Sequence, residues 1–278
     1  MKQVIDLYKH ILKTFPAGVK ENRTAVPTID VFGYQMRFDL NDGFPMPTTK
    51  FASFENIKAE LLWFISGSTN INDLKALYAK CGIWDAWATE TGDLGPVYGY
   101  EWNRDDQLNK VVAEIIRNPH SRRLIVDSWN PDNLPDPSIS PIENVRNGKA
   151  ALPPCHCLFQ FHVSRDKKLS NQLYQRSCDS VLGLPYNIPS YALLTHMVAK
   201  VTKQDVGEFI WSGGDIHIYQ NQIDILLKEQ LDNEPLPLPT LRFNEDKVYT
   251  KLSDFEMDDI WLENYQHHGV VRYPPAAV

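Results

Sequence analysis

A cysteine stands at the end of a proline-rich stretch, in the run Pro153-Pro154-Cys155-His156-Cys157. The end of a loop can present a thiol to a substrate, and the thiolate form is a strong nucleophile. Taken alone, a single cysteine is more often a small buried apolar residue. A metal site is the weaker alternative, because adjacent residues of a strand point to opposite faces. We therefore predict no metal and treat Cys155 as a candidate nucleophile.

Two pairs of neighbouring polar residues could bind an anion. Arg176 and Ser177 combine a guanidinium fork with a hydroxyl, which suits a phosphate. The structural alternative is a salt bridge between Arg176 and Asp179. Arg122 and Arg123 precede an apolar strand, where such a pair is usually solvated. A thiolate near several arginines would have a lowered pKa and would form more readily.

Glu60 lies in a strongly apolar segment that is predicted to be helical. Its neighbours at three and four positions along that helix are Ile57, Trp63 and Phe64. A carboxylate on this face would be desolvated and its pKa raised, which suits general acid–base catalysis. The alternative is that Glu60 lies at the edge of the apolar stripe, in solvent.

Three further residues are candidates for substrate binding. Asn187 precedes a buried helix, where its amide could read a pyrimidine edge or simply cap the helix. His217 and Tyr219 share one face if residues 215–219 form a strand. A histidine packed in the core is the alternative for His217.

These side chains need helices and strands to position them, and the hydrophobic pattern predicts both. The predicted helices are 2–14, 54–66, 107–117, 190–202 and 220–231. The predicted strands are 28–38, 123–129, 208–212 and 215–219, with a hairpin of 156–164 and 169–175. Residues 131–154 contain six prolines and are predicted to form a long irregular loop. The mixture predicts one α+β domain over residues 1–278.

Composition limits the class of protein. The chain has 278 residues and a net charge of −7, so bulk nucleic-acid binding is disfavoured. No run of about 18 apolar residues appears, and the first residues lack the pattern of a secretory signal. The four cysteines form no C-x-x-C pair. We expect a cytoplasmic protein.

Taken together, the segments resemble the thymidylate synthase family, in the family's order along nearly the whole chain. The matching stretches include 32–38, 42–45, 60–64, 95–99, 121–123, 154–156, 172–179, 183–185 and 214–219. The resemblance implies a thymidylate synthase-type fold, in which helices flank a mixed sheet. It also implies a homodimer whose interface is a face of that sheet.

The resemblance also implies a substrate, dUMP, and a co-substrate, 5,10-methylenetetrahydrofolate. Cys155 would add to C6 of the pyrimidine and make C5 nucleophilic. The 5′-phosphate would be held by Arg23, Arg176 and Ser177, and by two residues of the partner subunit, Arg122 and Arg123.

Other roles follow from the same resemblance. Asn187 would read the base and favour uracil over cytosine, while His217 and Tyr219 would hold the ribose. Glu60 would organise water and proton transfer. The remaining catalytic residues would be Tyr98 and Asp179, and the folate would contact Trp84, Asp179, Gly183, Lys50 and Ala277.

Several positions depart from the family pattern, and they collect on the folate side. Phe51 replaces a basic residue, Ala86 an acid, Glu101 a glutamine and Pro189 an alanine, while the loop 131–154 is longer than usual. A changed lid could admit water to a reactive intermediate. We therefore favour a deoxyuridylate hydroxymethylase that makes 5-hydroxymethyl-dUMP, which would fit a phage pathway of modified bases.

Two alternatives remain open. The first is a thymidylate synthase that makes dTMP and dihydrofolate. The second is a non-catalytic relative that binds nucleotides or RNA. Because Cys155, Glu60 and the arginines occur together in one chain, the sequence favours an enzyme.

Overall fold

A five-stranded mixed sheet forms the centre of the protein in the computed structural model, which describes residues 1–22 and 26–275. The strand order is β1-β5-β4-β3-β2. The bounds are β1 Thr28–Asp39, β2 Ile125–Asp127, β3 His156–Val163, β4 Lys168–Asp179 and β5 Asp205–Tyr219. Only β4 and β5 run parallel, whereas the other neighbours are antiparallel. A short second sheet pairs β6, Thr240–Phe243, with β7, Ile260–Glu263.

Helices pack on one face of the sheet and around its ends. They are α1 Lys2–Leu12, α2 Phe54–Ser66, α3 Ile71–Leu77, α4 Tyr98–Asn103, α5 Gln107–Arg117, α6 Pro141–Arg146, α7 Leu184–Thr202 and α8 Gln220–Ile225. Most of α7 is buried because it lies across β4 and β5 and also packs against α2. The predicted α+β class, with helices flanking a mixed sheet, is confirmed.

Some predicted bounds were wrong. The helix predicted at 190–202 begins at Leu184, and the two strand pieces at 208–219 are parts of the single strand β5. The loop 131–154 is not wholly irregular, because it contains α6. Ser140 caps α6 and forms a reciprocal capping box with Glu143, while Pro141 takes the first helical position. These residues are a helix-start signal, which the many prolines of the loop obscured.

The alternation of buried and exposed side chains breaks at the same level in four strands. On β5 the odd positions from Gly207 to Gly213 are buried, whereas from Gly214 onwards the even positions are. The same inversion occurs on β4 between Gln175 and Cys178, and on β1 around Gly33. On β3 the pairing register shifts between His156 and Leu158. Because these positions are neighbours across the sheet, the inversions form one continuous line.

The inversion moves polar side chains out of the core. With regular alternation, Ser177 and Asp179 would point the same way as buried Leu173 and Gln175. After the break they are partly exposed, and Cys178 enters the core instead. Ser177 and Asp179 pair in register with Asp215 and His217 of β5. The break therefore collects polar residues of two strands at one end of the sheet.

The opposite face of the sheet carries apolar side chains in solvent. Phe32 of β1 is 85% exposed, and Leu158 and Tyr174 are exposed cross-strand partners on β3 and β4. An exposed apolar patch is a common feature of interfaces, so the predicted dimer interface stays a prediction. Within the described ranges, no helix is long and apolar enough to cross a membrane.

Gly214→Ala tests the line of inversion. A Cβ at this position would lie 2.8 Å from the backbone oxygen of Arg176 and 3.0 Å from the Tyr174 hydroxyl. We expect the free energy of unfolding, measured by urea denaturation, to fall by about 2–3 kcal/mol.

Gly33→Ala is the matched control for this prediction. Gly33 has φ of +80° but nothing within 4 Å of an added Cβ. Only the backbone conformation opposes alanine there, so we expect a loss of about 1 kcal/mol. Equal losses in the two variants would contradict the close packing inferred at Gly214.

Candidate active site

A cavity of about 230 Å³ opens between α2, α4, the loop before β3, and the β4–α7 junction. It brings together eight residues that the sequence analysis predicted: Glu60, Trp84, Tyr98, Cys155, Ser177, Asp179, Gly183 and Asn187. Its remaining walls are largely apolar and include Phe64, Ile83, Trp87, Pro96, Val97 and Leu152. Residues that are distant in sequence thus converge on one concave site.

The other predicted residues do not line this cavity. Arg122 and Arg123 are exposed at the start of β2. His217 lies beside Asp179 in the strand register, and Tyr219 follows two residues later. Two predicted residues, Arg23 and Ala277, lie outside the described residues.

The backbone around Cys155 is held from two sides. The Tyr98 hydroxyl accepts hydrogen bonds from the Cys155 amide at 2.8 Å and the His156 amide at 3.3 Å. The Arg176 amide donates to the Cys155 carbonyl at 2.9 Å. Burial raises the pKa of Tyr98 well above its usual value, so its hydroxyl keeps its proton. The half-buried Cys155 is therefore fixed in place at the edge of the cavity.

The guanidinium of Arg176 is oriented by the proline-rich loop. Its Nε donates to the Pro154 carbonyl at 2.8 Å and its Nη2 to the Pro153 carbonyl at 3.1 Å. The group also lies 5.3 Å from the centre of the Trp129 ring. Arg176 is thus bound to the loop that carries Cys155, and three of its five donors remain for a ligand.

Glu60 is buried in the wall of the cavity, on the apolar face of α2. Burial raises its pKa to about 7, against a smaller lowering by a hydrogen bond from Trp84. That bond runs from Trp84 Nε1 to Glu60 Oε1 at 2.8 Å. A carboxyl with a pKa near neutrality can both donate and accept a proton under ordinary conditions.

A chain of hydrogen bonds sets the orientation of Asn187. The indole of Trp211 can only donate, and it donates to Gln175 Oε1 at 2.9 Å. The amide nitrogen of Gln175 then donates to Asn187 Oδ1 at 3.1 Å. The amide nitrogen of Asn187 is therefore left to donate. Gln175 was not predicted, although the buried donor Trp211 on the neighbouring strand requires an acceptor.

His156 is a second residue that the sequence analysis missed. It lies under Tyr98 with ring centres 4.9 Å apart, in a stacked arrangement. Burial lowers its pKa to about 4, opposed by a hydrogen bond with Asn187. The imidazole is therefore neutral near pH 7 and supports the cavity without adding charge.

Asp179 and Lys50 meet at the start of α7. Asp179 Oδ1 accepts from the amides of Val181 at 3.0 Å and Leu182 at 2.9 Å, which fixes the β4–α7 turn. Lys50 donates to the Val181 carbonyl at 2.8 Å and lies over the Tyr273 ring. Burial lowers the pKa of Lys50 to about 8, against the attraction of Asp179. Lys50 therefore joins the C-terminal segment to the turn beside the cavity.

His217 lies next to Asp179 across the β4–β5 pair, and its imidazole contacts Asp215. Its Nδ1 lies 3.0 Å from Asp215 Oδ1, and its ring contacts Tyr219 edge-on. Across residues 1–22 and 26–275, no three side chains of the metal-ligating types cluster together.

Comparison with known proteins places the chain among one-carbon transferases. The family model described as thymidylate synthase matches residues 2–277. A thymidylate synthase of Francisella philomiragia is 48% identical over 98% of both chains. A thymidylate synthase of Francisella tularensis subsp. holarctica has the same identity and coverage.

The mixed-sheet fold, the cysteine-bearing cavity and these matches define an enzyme of the C1-transferase class. Within that class, the chain belongs to the thymidylate synthase family.

The preference for a hydroxymethylase was wrong. Relatives that are 48% identical over the full length are named thymidylate synthase, which favours the alternative product. Of the substitutions on which the preference rested, two lie outside the cavity and one forms part of its wall. Phe51 and Ala86 are exposed and do not line it, and Glu101 is buried in its wall. The substitutions therefore provide no evidence for entry of water.

The raised pKa of Glu60 predicts a pH-dependent stability. Between its ordinary pKa of 4.5 and its folded value of about 7, the native state binds more protons than the unfolded state. Stability from this group is therefore lost as pH rises through that window, by about 3 kcal/mol in total. Glu60→Gln should remove the effect, so its stability relative to wild type should increase with pH in urea denaturation.

Glu21→Gln is the control, because Glu21 is an exposed carboxylate outside the cavity. Its stability relative to wild type should change little over the same range. A pH-independent difference between Glu60→Gln and wild type would rule out a protonated, buried Glu60.

Proposed function

We propose that this enzyme transfers a one-carbon unit from 5,10-methylenetetrahydrofolate to C5 of dUMP and releases dTMP and dihydrofolate. One observation carries the proposal. Cys155 shares a single cavity with the proton-transfer group Glu60 and with Asn187, whose amide is oriented by hydrogen bonds. The names of the full-length relatives support the same reaction.

The cavity walls fit a folate. Trp84 and Trp87 form an apolar, aromatic surface on which a flat pterin can lie. Asp179 and Gly183 add polar groups at the opposite edge, and Lys50 provides a positive charge nearby. The bound folate supplies the methylene carbon and the hydride.

The protein's own residues account for activation of the nucleotide. The Cys155 thiolate adds to C6, and the displaced π electrons move towards C5 and O4 of the base. The free amide hydrogens of Asn187 can donate to that oxygen as its charge develops. Glu60 lies in the same cavity and moves protons through its near-neutral carboxyl.

Binding of the phosphate requires cations at the edge of the site. The three remaining donors of Arg176 and the hydroxyl of Ser177 would bind the phosphate. Arg23 is proposed as a further ligand, and His217 and Tyr219 as ribose ligands. Because Arg122 and Arg123 do not line the cavity of their own chain, we propose that the partner subunit of a homodimer contributes them.

A direct assay tests the reaction. Purified enzyme with dUMP and 5,10-methylenetetrahydrofolate should form dTMP and dihydrofolate in equal amounts, identified by mass spectrometry and absorbance. Cys155→Ser should lower turnover by more than about a thousandfold, since loss of a nucleophile removes the covalent route. We expect dCMP to react at least about a hundredfold more slowly, because its amino group faces the amide donor of Asn187. Efficient turnover of dCMP, or a nucleotide product that carries an added oxygen, would contradict the proposal.

Mixed dimers test the contribution of Arg122 and Arg123. The double variant Arg122→Ala/Arg123→Ala and the variant Cys155→Ser should each be nearly inactive as homodimers. After unfolding and refolding together, half of the dimers are mixed and each contains one intact site. Activity should return to about a quarter of wild type. No recovery in a mixture shown to contain mixed dimers would place the arginines outside the partner's site.

A further inference from the structure

Glu101 has a buried carboxylate in the wall of the cavity. The proposed reaction gives this carboxylate no part. Glu101 is 2% exposed. Its Oε2 accepts from Arg104 Nε at 2.8 Å, and its Oε1 accepts from the side-chain amide of Asn133. Both neighbours are donors, and a carboxylate can accept from both at once. A glutamine here would turn its own NH₂ group towards one of the two donors, so the site is built for the charged residue.

Asn133 connects Glu101 to the loop that ends at Cys155. The backbone carbonyl of Asn133 accepts from the Ala150 amide at 3.0 Å, which closes the base of the loop. The next amide, of Ala151, donates to the Leu94 carbonyl at 2.9 Å. The segment then enters the cavity wall through Leu152. A short series of bonds therefore joins Glu101 to the residues just before Cys155.

The same segment orients the phosphate-binding group. Pro153 and Pro154 offer the two carbonyls that accept from the guanidinium of Arg176. Proline leaves these residues little rotational freedom, so the position of the two carbonyls depends on where the loop base is held. Displacement of the base would move both the thiol and the guanidinium.

We infer that Glu101 is a positioning residue, which acts through Asn133 to hold the Pro153–Cys155 segment and the guanidinium of Arg176 in their reactive arrangement. The inference rests on the proposed function, because it concerns the same thiol and the same phosphate site. It assigns a role to the long 131–154 loop, whose inner end forms part of the active site.

The exposed pair of Glu90 and Arg146 provides a matched control. It also ties the loop to the body of the protein, through α6, with a distance of 2.8 Å. The side chains are 72% and 58% exposed, and ion pairs in solvent contribute little. Glu90→Ala therefore removes an acidic anchor of the same loop without disturbing the cavity wall.

The experiment compares five full-length variants with wild type. They are Glu101→Ala, Glu101→Gln, Asn133→Ala, the double variant Glu101→Ala/Asn133→Ala, and Glu90→Ala. Two properties are measured: kcat and KM for dUMP, and the pH profile of Cys155 alkylation by iodoacetamide, followed by peptide mass spectrometry. The second measurement needs no turnover, so it remains informative even if dTMP is not the product.

We expect Glu101→Ala to lower kcat by about tenfold or more, since small displacements of reacting groups have large effects. KM for dUMP should rise, and the alkylation midpoint of Cys155 should move to higher pH as Arg176 is displaced. Glu101→Gln should be intermediate. The double variant should resemble Glu101→Ala, because both changes break the same connection. Glu90→Ala should stay within about twofold of wild type.

Clear outcomes would overturn the inference. One is a folded Glu101→Ala protein with an unchanged alkylation profile and unchanged kcat. Another is Glu90→Ala showing equal losses, which would indicate general loosening of the loop. If Glu101→Ala fails to fold, Asn133→Ala decides, because it keeps the Glu101–Arg104 pair and breaks only the connection to the loop. Inactivity of wild type towards dUMP would instead refute the proposed function.

Discussion

The active site depends on one aligned break in the alternation of side chains across the central sheet. A regular strand that buries Leu173 and Gln175 would also bury Ser177 and Asp179, with no water to satisfy their polar groups. The break at Gly214 and its neighbours turns these residues towards the cavity while Cys178 fills the core. The sheet can therefore keep a continuous apolar core and still present polar chemistry at one end. The close approach of β4 and β5 at this level leaves no room for a side chain at position 214.

Trp211, in the core, determines which groups donate and which accept in the hydrogen bonds that reach Asn187. Trp211 has a single polar atom, which is a donor, so Gln175 must turn its oxygen towards it. The nitrogen of Gln175 then faces Asn187, and the donor groups of Asn187 remain for a ligand. In the proposed reaction, the choice between uracil and cytosine, which exchange donor and acceptor at N3 and at the C4 substituent, would thereby be tied to a buried indole. The long loop has an equivalent connection, from Glu101 through Asn133, on the opposite side of the cavity.

Burial also sets the charges around the site. Desolvation raises the pKa of Glu60 to about 7 and lowers that of His156 to about 4, so both groups tend to be neutral between these two pH values. Their neutrality leaves Arg176 as a strong local charge beside Cys155 in the described part of the chain. This distribution of charge suits the proposed reaction, in which the site attracts a phosphate and also transfers protons in an apolar environment.

The sequence by itself determined the α+β class, because hydrophobic periodicity reports helices and strands, and the family resemblance pointed to eight residues of the cavity. The burial of Glu60 stayed one of two alternatives until the tertiary structure decided it. The sequence located helix α2 closely, since a helix with a serine cap and a glycine end is encoded locally. It misjudged the product, because the sequence shows that Phe51 and Ala86 differ from the family but not that they lie outside the lining of the cavity. Gln175 and Glu101 were missed as functional residues for the same reason. Their importance lies in partners distant along the chain, and only the packing of the tertiary structure decides which donor meets which acceptor.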